Sequence, residues 1–170
     1  VSLPSNQEYK NVANGEVLIF MKNMQKYSVR AHFAPLRPCL FEYIYFASAE
    51  SYINDILVYE FRERVGEEMS NIIDKSILNE IDVVVPVPVT SIVAATSLST
   101  KIGKPLKHAI VKNRYTHRTF INEGSEIVKN VEKIKIIGPL VKQKNVLIVD
   151  DSIVRGNTCR HITVSYTHLR

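Results

Sequence analysis

Apolar positions in this chain come in short bursts separated by polar or proline-rich joints. A turn at Asn14–Gly15 leads into Glu16–Phe20, which predicts a strand. Pro35 and Pro38 then read as linker. In the run that follows, Phe41, Tyr43 and Tyr45 alternate with Leu40, Ile44 and Phe46, which predicts a second strand. A domain boundary is expected near Pro35–Cys39. Between Tyr59 and Leu78, the residues Val65, Met69, Ile72, Ile73 and Ile77 recur at helical spacing and predict an amphipathic helix packed on a sheet. The β-branched run IDVVVPVPV predicts a buried strand stopped by Pro86 and Pro88. Thr90 or Ser91 is expected to cap a helix through about Lys101, ended by Gly103. Further strands are predicted around Ala109–Lys112 and at Val146–Val149, and a helix begins at Thr158. The stretch 122–139 is polar, with a β pair expected inside it.

Helices alternating with buried strands imply an α/β domain with a mainly parallel sheet flanked by helices. Ligands of such sheets sit outside the carboxyl ends of the strands. Three polar segments fall there by topology: 87–91, 112–119 and 150–158.

Totals narrow the classes. The chain has 170 residues, 45% hydrophobic and 23% charged, enough for one domain with a real core. No apolar run approaches the ~18–20 residues of a membrane span, so no membrane partner is expected and cytoplasm is the default compartment. Net charge is +5, but Lys and Arg are scattered, so no nucleic-acid partner is expected either. The two cysteines, Cys39 and Cys159, are far apart and read as reduced thiols. The histidines show no ligand spacing.

The chemistry concentrates in VLIVDDSIVRGNT, residues 146–158. The strand delivers two adjacent acids, Asp150 and Asp151, to the sheet edge. Paired carboxylates there can accept hydrogen bonds from the vicinal hydroxyls of a sugar and can hold Mg²⁺ directly or through water. Behind them Gly156 makes backbone N–H groups approachable, Ser152 and Thr158 add hydroxyls, and a helix N-terminus favours phosphate. A diol reader followed by a phosphate cradle describes a ribose 5-phosphate site.

This run resembles the 5-phosphoribosyl 1-diphosphate (PRPP) binding motif of the type I phosphoribosyltransferases. Three further segments are similar to the amidotransferase branch of that family: CLFEYIYFA at Cys39–Ala47, DVVVPVPVTS at Asp82–Ser91 and VKNRYTHRTFI at Val111–Ile121. The resemblance implies a type I phosphoribosyltransferase-like fold. It also implies displacement of diphosphate from PRPP by glutamine-derived ammonia to give 5-phosphoribosylamine, the first committed step of purine synthesis. By the same resemblance, Asp150 and Asp151 hold the ribose hydroxyls and Mg²⁺, with Thr90 contributing to metal and diphosphate and Ser91 beside it. Ser152, Arg155, Gly156, Asn157 and Thr158 hold the 5-phosphate. Lys112, Arg114 and Arg118 neutralise diphosphate, and Tyr115 helps close a lid. Cys39 occupies a point where some members carry one ligand of a [4Fe–4S] cluster. Two other readings of the motif are a salvage phosphoribosyltransferase and a catalytically silent PRPP sensor.

The resemblance also sets expectations for organisation. Residues 1–38 correspond to the tail end of an N-terminal glutaminase domain and a linker, 39–162 to a phosphoribosyltransferase domain incomplete at its C-terminus, and 163–170 to a non-native tail. The full-length form is expected to be a homo-oligomer, its ammonia supplied by the glutaminase domain. Departures from the family pattern are Val89 where an acid is usual, His117 in place of Gly, ASAES at Ala47–Ser51, and Asn157 and Cys159 in place of Thr and Ser.

Overall fold

Val83, Val84 and Val85 are 0–1% exposed because the strand they form is covered on both faces. A computed structural model of the chain describes residues 12–23, 25–31, 35–112 and 134–167. The chain divides into two units, Val1–Cys39 and Leu40–Arg170.

In the first unit, β1 (Glu16–Phe20) and β2 (Lys26–Arg30) form an antiparallel hairpin with Val17 opposite Val29 and Ile19 opposite Tyr27. Gly15 takes φ 72° at its mouth, a left-handed conformation that glycine adopts without cost. The Glu16 carboxylate accepts from the Ala13 amide at 2.7 Å and from the Ser28 hydroxyl.

The second unit opens with a correction. Glu42–Phe46, expected as a strand, is a π-helical turn closed by the Ala47 amide donating to the Glu42 carbonyl at 2.9 Å. Its aromatic residues do not line a sheet face. Tyr43 alone is buried, its ring 4.9 Å from that of Phe61, while Tyr45 and Phe46 are 47% and 66% exposed. A short hairpin follows, β3 (Tyr52–Ile53) and β4 (Ile56–Leu57), turned by Asn54 and Asp55 at positive φ.

The expected single helix across residues 59–78 is two. α1 (Val58–Ile72) ends where Ile73 turns extended, and α2 (Lys75–Glu80) restarts with Asp74 as N-cap, its carboxylate accepting from the Ser76 amide at 2.8 Å. That side-chain bond satisfies an otherwise orphaned helix donor. β5 (Val83–Pro86) runs parallel to β8 (Val146–Val149), pairing Val83 with Val146 and Pro86 with Val149. On its other side β5 meets Leu106 through a parallel bridge at Val84. Between them, α3 (Ile92–Ile102) ends at Gly103, φ 67°.

β6 (Ile110–Lys112) pairs antiparallel with β7 (Ile134–Ile136). The β pairing expected within 122–139 is therefore made by its last part with β6. A short α4 (Gly138–Val141) leads to β8, and α5 (Asn157–Thr167) closes the described chain. This helix runs on past Ile162, and the Tyr166 hydroxyl donates to the Lys144 carbonyl.

The period-2 alternation of β5 builds two cores. Val83, Val85 and Val87 pack with Ala109, Ile110, Val141 and Ile162 on the α5 side. Val84 packs with Ala95, Leu98 and Val149, backed by Met69 of α1 and by Ile73 just past its end. Helices on both faces of a parallel pair account for strands apolar at every position.

Candidate active site

Because β5 and β8 end in register at Pro86 and Val149, the residues beyond them leave the sheet edge together. The Val87 amide still donates to the Val149 carbonyl at 2.8 Å. Past that rung the two loops are joined by side chains. The Thr90 hydroxyl donates to Oδ2 of Asp151, and the Ser152 hydroxyl donates to its Oδ1 at 2.8 Å. The Asp151 amide donates to Oδ1 of Asp150 at 2.9 Å. Bonds from neutral hydroxyls to a carboxylate are stronger than neutral pairs, so Asp151 is held by both loops at once.

Asp150 is half-buried. Burial pushes its carboxyl above the usual aspartate range, opposed by the Asp151 amide bond; the neighbouring Asp151 charge raises it further and the Lys112 ammonium lowers it. Lys112, the last residue of β6, is thereby within electrostatic reach of Asp150. Arg114, Tyr115 and Arg118 lie outside the described residues.

Gly156 adopts φ 68°, and its carbonyl accepts from the Arg160 amide at 2.8 Å at the start of α5. Arg155 and Thr158 are exposed beside it, and Asn157 is the first residue of the helix. The sequence thus places an exposed guanidinium, a glycine turn and a helix N-terminus immediately after the acids. Val89 is 67% exposed in the β5 loop, next to a cis peptide bond between Pro88 and Val89.

Ser91 does not cap α3 through its side chain. It occupies the N-cap position of α3, but it is 3% exposed and its hydroxyl donates to the Val87 carbonyl. Neither it nor Thr90 caps the helix by its side chain. Ser91 braces the loop from inside, and Thr90 alone faces the acids.

A cavity of about 430 Å³ adjoins the acid pair, lined by Asp150, Asp151 and Ser152 with an apolar wall that includes Met69, Ile148 and Ile153. Two carboxylates and one hydroxyl suit a hard divalent cation that keeps several waters and takes further oxygens from a phosphorylated ligand. No group of three or more His, Cys, Asp or Glu that could hold a metal occurs among the described residues, so most ligands would come from solvent or substrate. A [4Fe–4S] cluster does not fit this chain's own residues. It needs four thiolates, and the sequence has two cysteines, Cys39 exposed and Cys159 partly buried beside the cavity.

Sequence reading missed Arg62. It is 7% exposed on α1, and its Nε and Nη2 donate at 2.8 Å to the carbonyls of Tyr43 and Ala47. Burial lowers its pKa, with the Asp151 charge opposing. The signal was present: Val58, Arg62, Gly66, Met69 and Ile73 fall on one helical stripe, so an arginine lies on the inward face of α1.

Residues 58–163, more than half of the chain, match the family model of the phosphoribosyl transferase domain. The chain belongs to the phosphoribosyltransferase family. It is 42% identical over 159 residues to an amidophosphoribosyltransferase of Haemophilus influenzae, covering 90% of this chain and 32% of that protein. It is 38% identical over 162 residues to the Saccharomyces cerevisiae amidophosphoribosyltransferase, covering 91% and 32%. The glutamine phosphoribosylpyrophosphate amidotransferase of B. subtilis, solved with ADP and GMP, superposes at a TM-score of 0.73 with 34% identity, over 93% of this chain and 34% of that one. This phosphoribosyltransferase chain thus spans about a third of the length of the curated relatives it matches. The family resemblance and the α/β class read from the residues are both borne out. No helix among the described residues is long and apolar enough to cross a membrane.

Proposed function

We propose that this chain is the transferase portion of an amidophosphoribosyltransferase, acting on PRPP with ammonia delivered by a glutaminase domain. Residues 1–38 are then the end of that glutaminase domain, and the full protein is a cytoplasmic homo-oligomer. The observation that carries the reading is the acid pair at the shared end of β5 and β8, braced by Thr90 and followed by a glycine turn into a helix N-terminus. Its similarity to amidophosphoribosyltransferases over nine-tenths of the chain supports ammonia as the acceptor.

In this reaction the bond from ribose C1 to the diphosphate oxygen breaks and a C1–N bond forms. The ammonia nitrogen gives up a proton and diphosphate departs with its electron pair. Asp150 and Asp151 accept from the two ribose hydroxyls and orient the sugar. Ser152, Arg155 and the amides from Gly156 to Thr158 seat the 5-phosphate at the positive end of α5. Lys112 offsets charge growing on the leaving diphosphate, where preorganised positive groups contribute most, and the family resemblance gives Arg114 and Arg118 the same task. The apolar wall at Met69, Ile148 and Ile153 limits water, which would otherwise compete with ammonia. Asp150, Asp151 and Thr90 would hold Mg²⁺, which would supply charge neutralisation for the diphosphate.

The test is Mg²⁺-dependent PRPP binding by calorimetry, together with ammonia-dependent diphosphate release, for the parent and an Asp150→Asn/Asp151→Asn variant. Both signals are expected to disappear in the variant. Unchanged PRPP affinity would sink the assignment of the acids. Binding by the parent without any diphosphate release would identify a PRPP sensor instead.

A further inference from the structure

Arg62 is the one charged side chain among the described residues that is almost fully buried. It lies on the stripe of α1 that faces the site. Val58 and Gly66, one turn to either side, are buried as well. A Cβ on Gly66 would meet the Ala94 carbonyl in the first turn of α3. Further along, Met69 lines the cavity together with Asp150 and Asp151. The same stripe therefore meets both the helix that follows Thr90 and the cavity of the acids.

The guanidinium bonds no carboxylate among the described residues. Its two hydrogen bonds go to the neutral carbonyls of Tyr43 and Ala47. They fix the group in place and leave its charge unmatched at contact. A buried cation without a counter-charge is costly, and the charge that opposes that cost is Asp151. The two acids thus face different bases. Lys112 acts on Asp150 and is exposed at the end of β6, so its ammonium can follow a ligand. Arg62 acts on Asp151 and is held at two points, so its charge stays where it is. Thr90 and Ser152 orient Asp151 but bring it no net charge.

Adjacent carboxylates can take a divalent cation or the vicinal hydroxyls of a sugar. A fixed positive charge nearby opposes the first by Coulomb repulsion and leaves the second, which is neutral, almost untouched. We propose that Arg62 sets what the acid pair accepts: its buried charge weakens the hold on a bare divalent cation and so keeps Asp150 and Asp151 open to sugar hydroxyls. Arg62 is a positioning residue, since it acts through Asp151. The proposal rests on the reading of the acids as the seat of ribose and Mg²⁺. A metal is then held firmly only when phosphate oxygens of the ligand share it.

The experiment measures Mn²⁺ binding without PRPP, by the electron paramagnetic resonance signal of the free ion at low salt. Arg62→Gln removes the charge and keeps a donor for a carbonyl; Arg62→Lys keeps the charge. Mn²⁺ is expected to bind about 3- to 10-fold more tightly to Arg62→Gln than to the parent, and Arg62→Lys is expected to stay within ~2-fold of the parent. In an Asp151→Asn background the Arg62→Gln effect should shrink below ~2-fold. Loosening of the 43–47 turn alone would leave the affinity unchanged or lower it, so either result in a folded Arg62→Gln protein would overturn the proposal. Equal tightening in Arg62→Lys would overturn it too. If Arg62→Gln does not fold, the unsubstituted protein gives a second reading. Mn²⁺ at the acids is expected to broaden the Arg62 Nε–H resonance over the same concentrations as the Asp150 and Asp151 amides. A sharp Arg62 line when those amides have vanished would overturn the proposal. No PRPP is present in either measurement, so failure here leaves the acids' role in PRPP binding to its own test.

Discussion

Two neighbouring strands end level, at Pro86 and Val149, and then release opposite chemistry. The β5 loop, Val87–Pro88–Val89–Thr90–Ser91, carries no charge at all. The β8 loop begins with two carboxylates. In the β5 loop one hydroxyl is turned inward to the Val87 carbonyl and the other outward to Asp151. The neutral loop therefore acts as a brace, and the acid loop is what a ligand meets. The difference teaches that adjacent acids at a sheet edge need an external clamp, since like charges this close repel, and here Thr90 and Ser152 supply it.

The largest expected effect breaks the acid side. Asp151→Ala removes both the ligand contact and the anchor of Thr90, and Mg²⁺-dependent PRPP affinity is expected to fall at least ~100-fold, about 2.7 kcal/mol. Calorimetric titration checks it.

Next comes the support of the neutral side. A Cβ on Gly66 would lie 2.1 Å from the Ala94 carbonyl oxygen of α3, and backbone cannot swing aside as a side-chain tip can. Gly66→Ala is expected to cost roughly 1–3 kcal/mol in urea unfolding. It should also displace α3, and with it Thr90, so PRPP affinity falls in the same variant. Full affinity in a folded Gly66→Ala protein would show that the brace does not depend on this helix contact.

Thr90→Val keeps the shape of the neutral loop and removes its bond to Asp151. An affinity loss of about ten-fold is expected, with little change in melting temperature.

The smallest effect concerns pH. Burial holds the Asp150 carboxyl above its ordinary value, so the folded chain retains a proton that the unfolded chain has released. The stability contribution of this group is fully present below the ordinary aspartate value of about 3.9 and is lost as pH rises through the raised value. Without divalent cations, Asp150→Asn should match the parent near pH 3 and become the more stable of the two as pH approaches 7. A constant difference across that range in denaturant titrations would contradict the assigned shift.

How far the residues alone reach differs between the same two regions. β5 and β8 were legible because runs of valine and isoleucine at consecutive positions suit a strand buried on both faces, and the Pro86 stop and acid pair mark their ends. Gly103 likewise marked the end of α3. The aromatic run after Cys39 misled. Its alternation has no polar phase, so a period of two carried no information, and the buried guanidinium of Arg62 fixes a turn there by holding two carbonyls from 15 to 19 residues away in sequence. The break between α1 and α2 was hidden because Ile72, Ile73 and Ile77 keep helical spacing across it, while the Asp74 cap bonded to Ser76 decides locally. In the site, residue types pointed to Thr90, Asp150 and Asp151. Which of two adjacent hydroxyls faces the acids depends on backbone direction after Pro88, and it is Thr90 that bonds Asp151 while the Ser91 hydroxyl turns to the Val87 carbonyl.

The central claim is that the two loops work as one unit through the Thr90–Asp151 hydrogen bond. A double-mutant cycle in Mg²⁺-dependent PRPP affinity, with Thr90→Val, Asp151→Asn and the pair, tests it most directly. The account predicts that the double variant binds no more weakly than Asp151→Asn alone. Losses that simply add would contradict it.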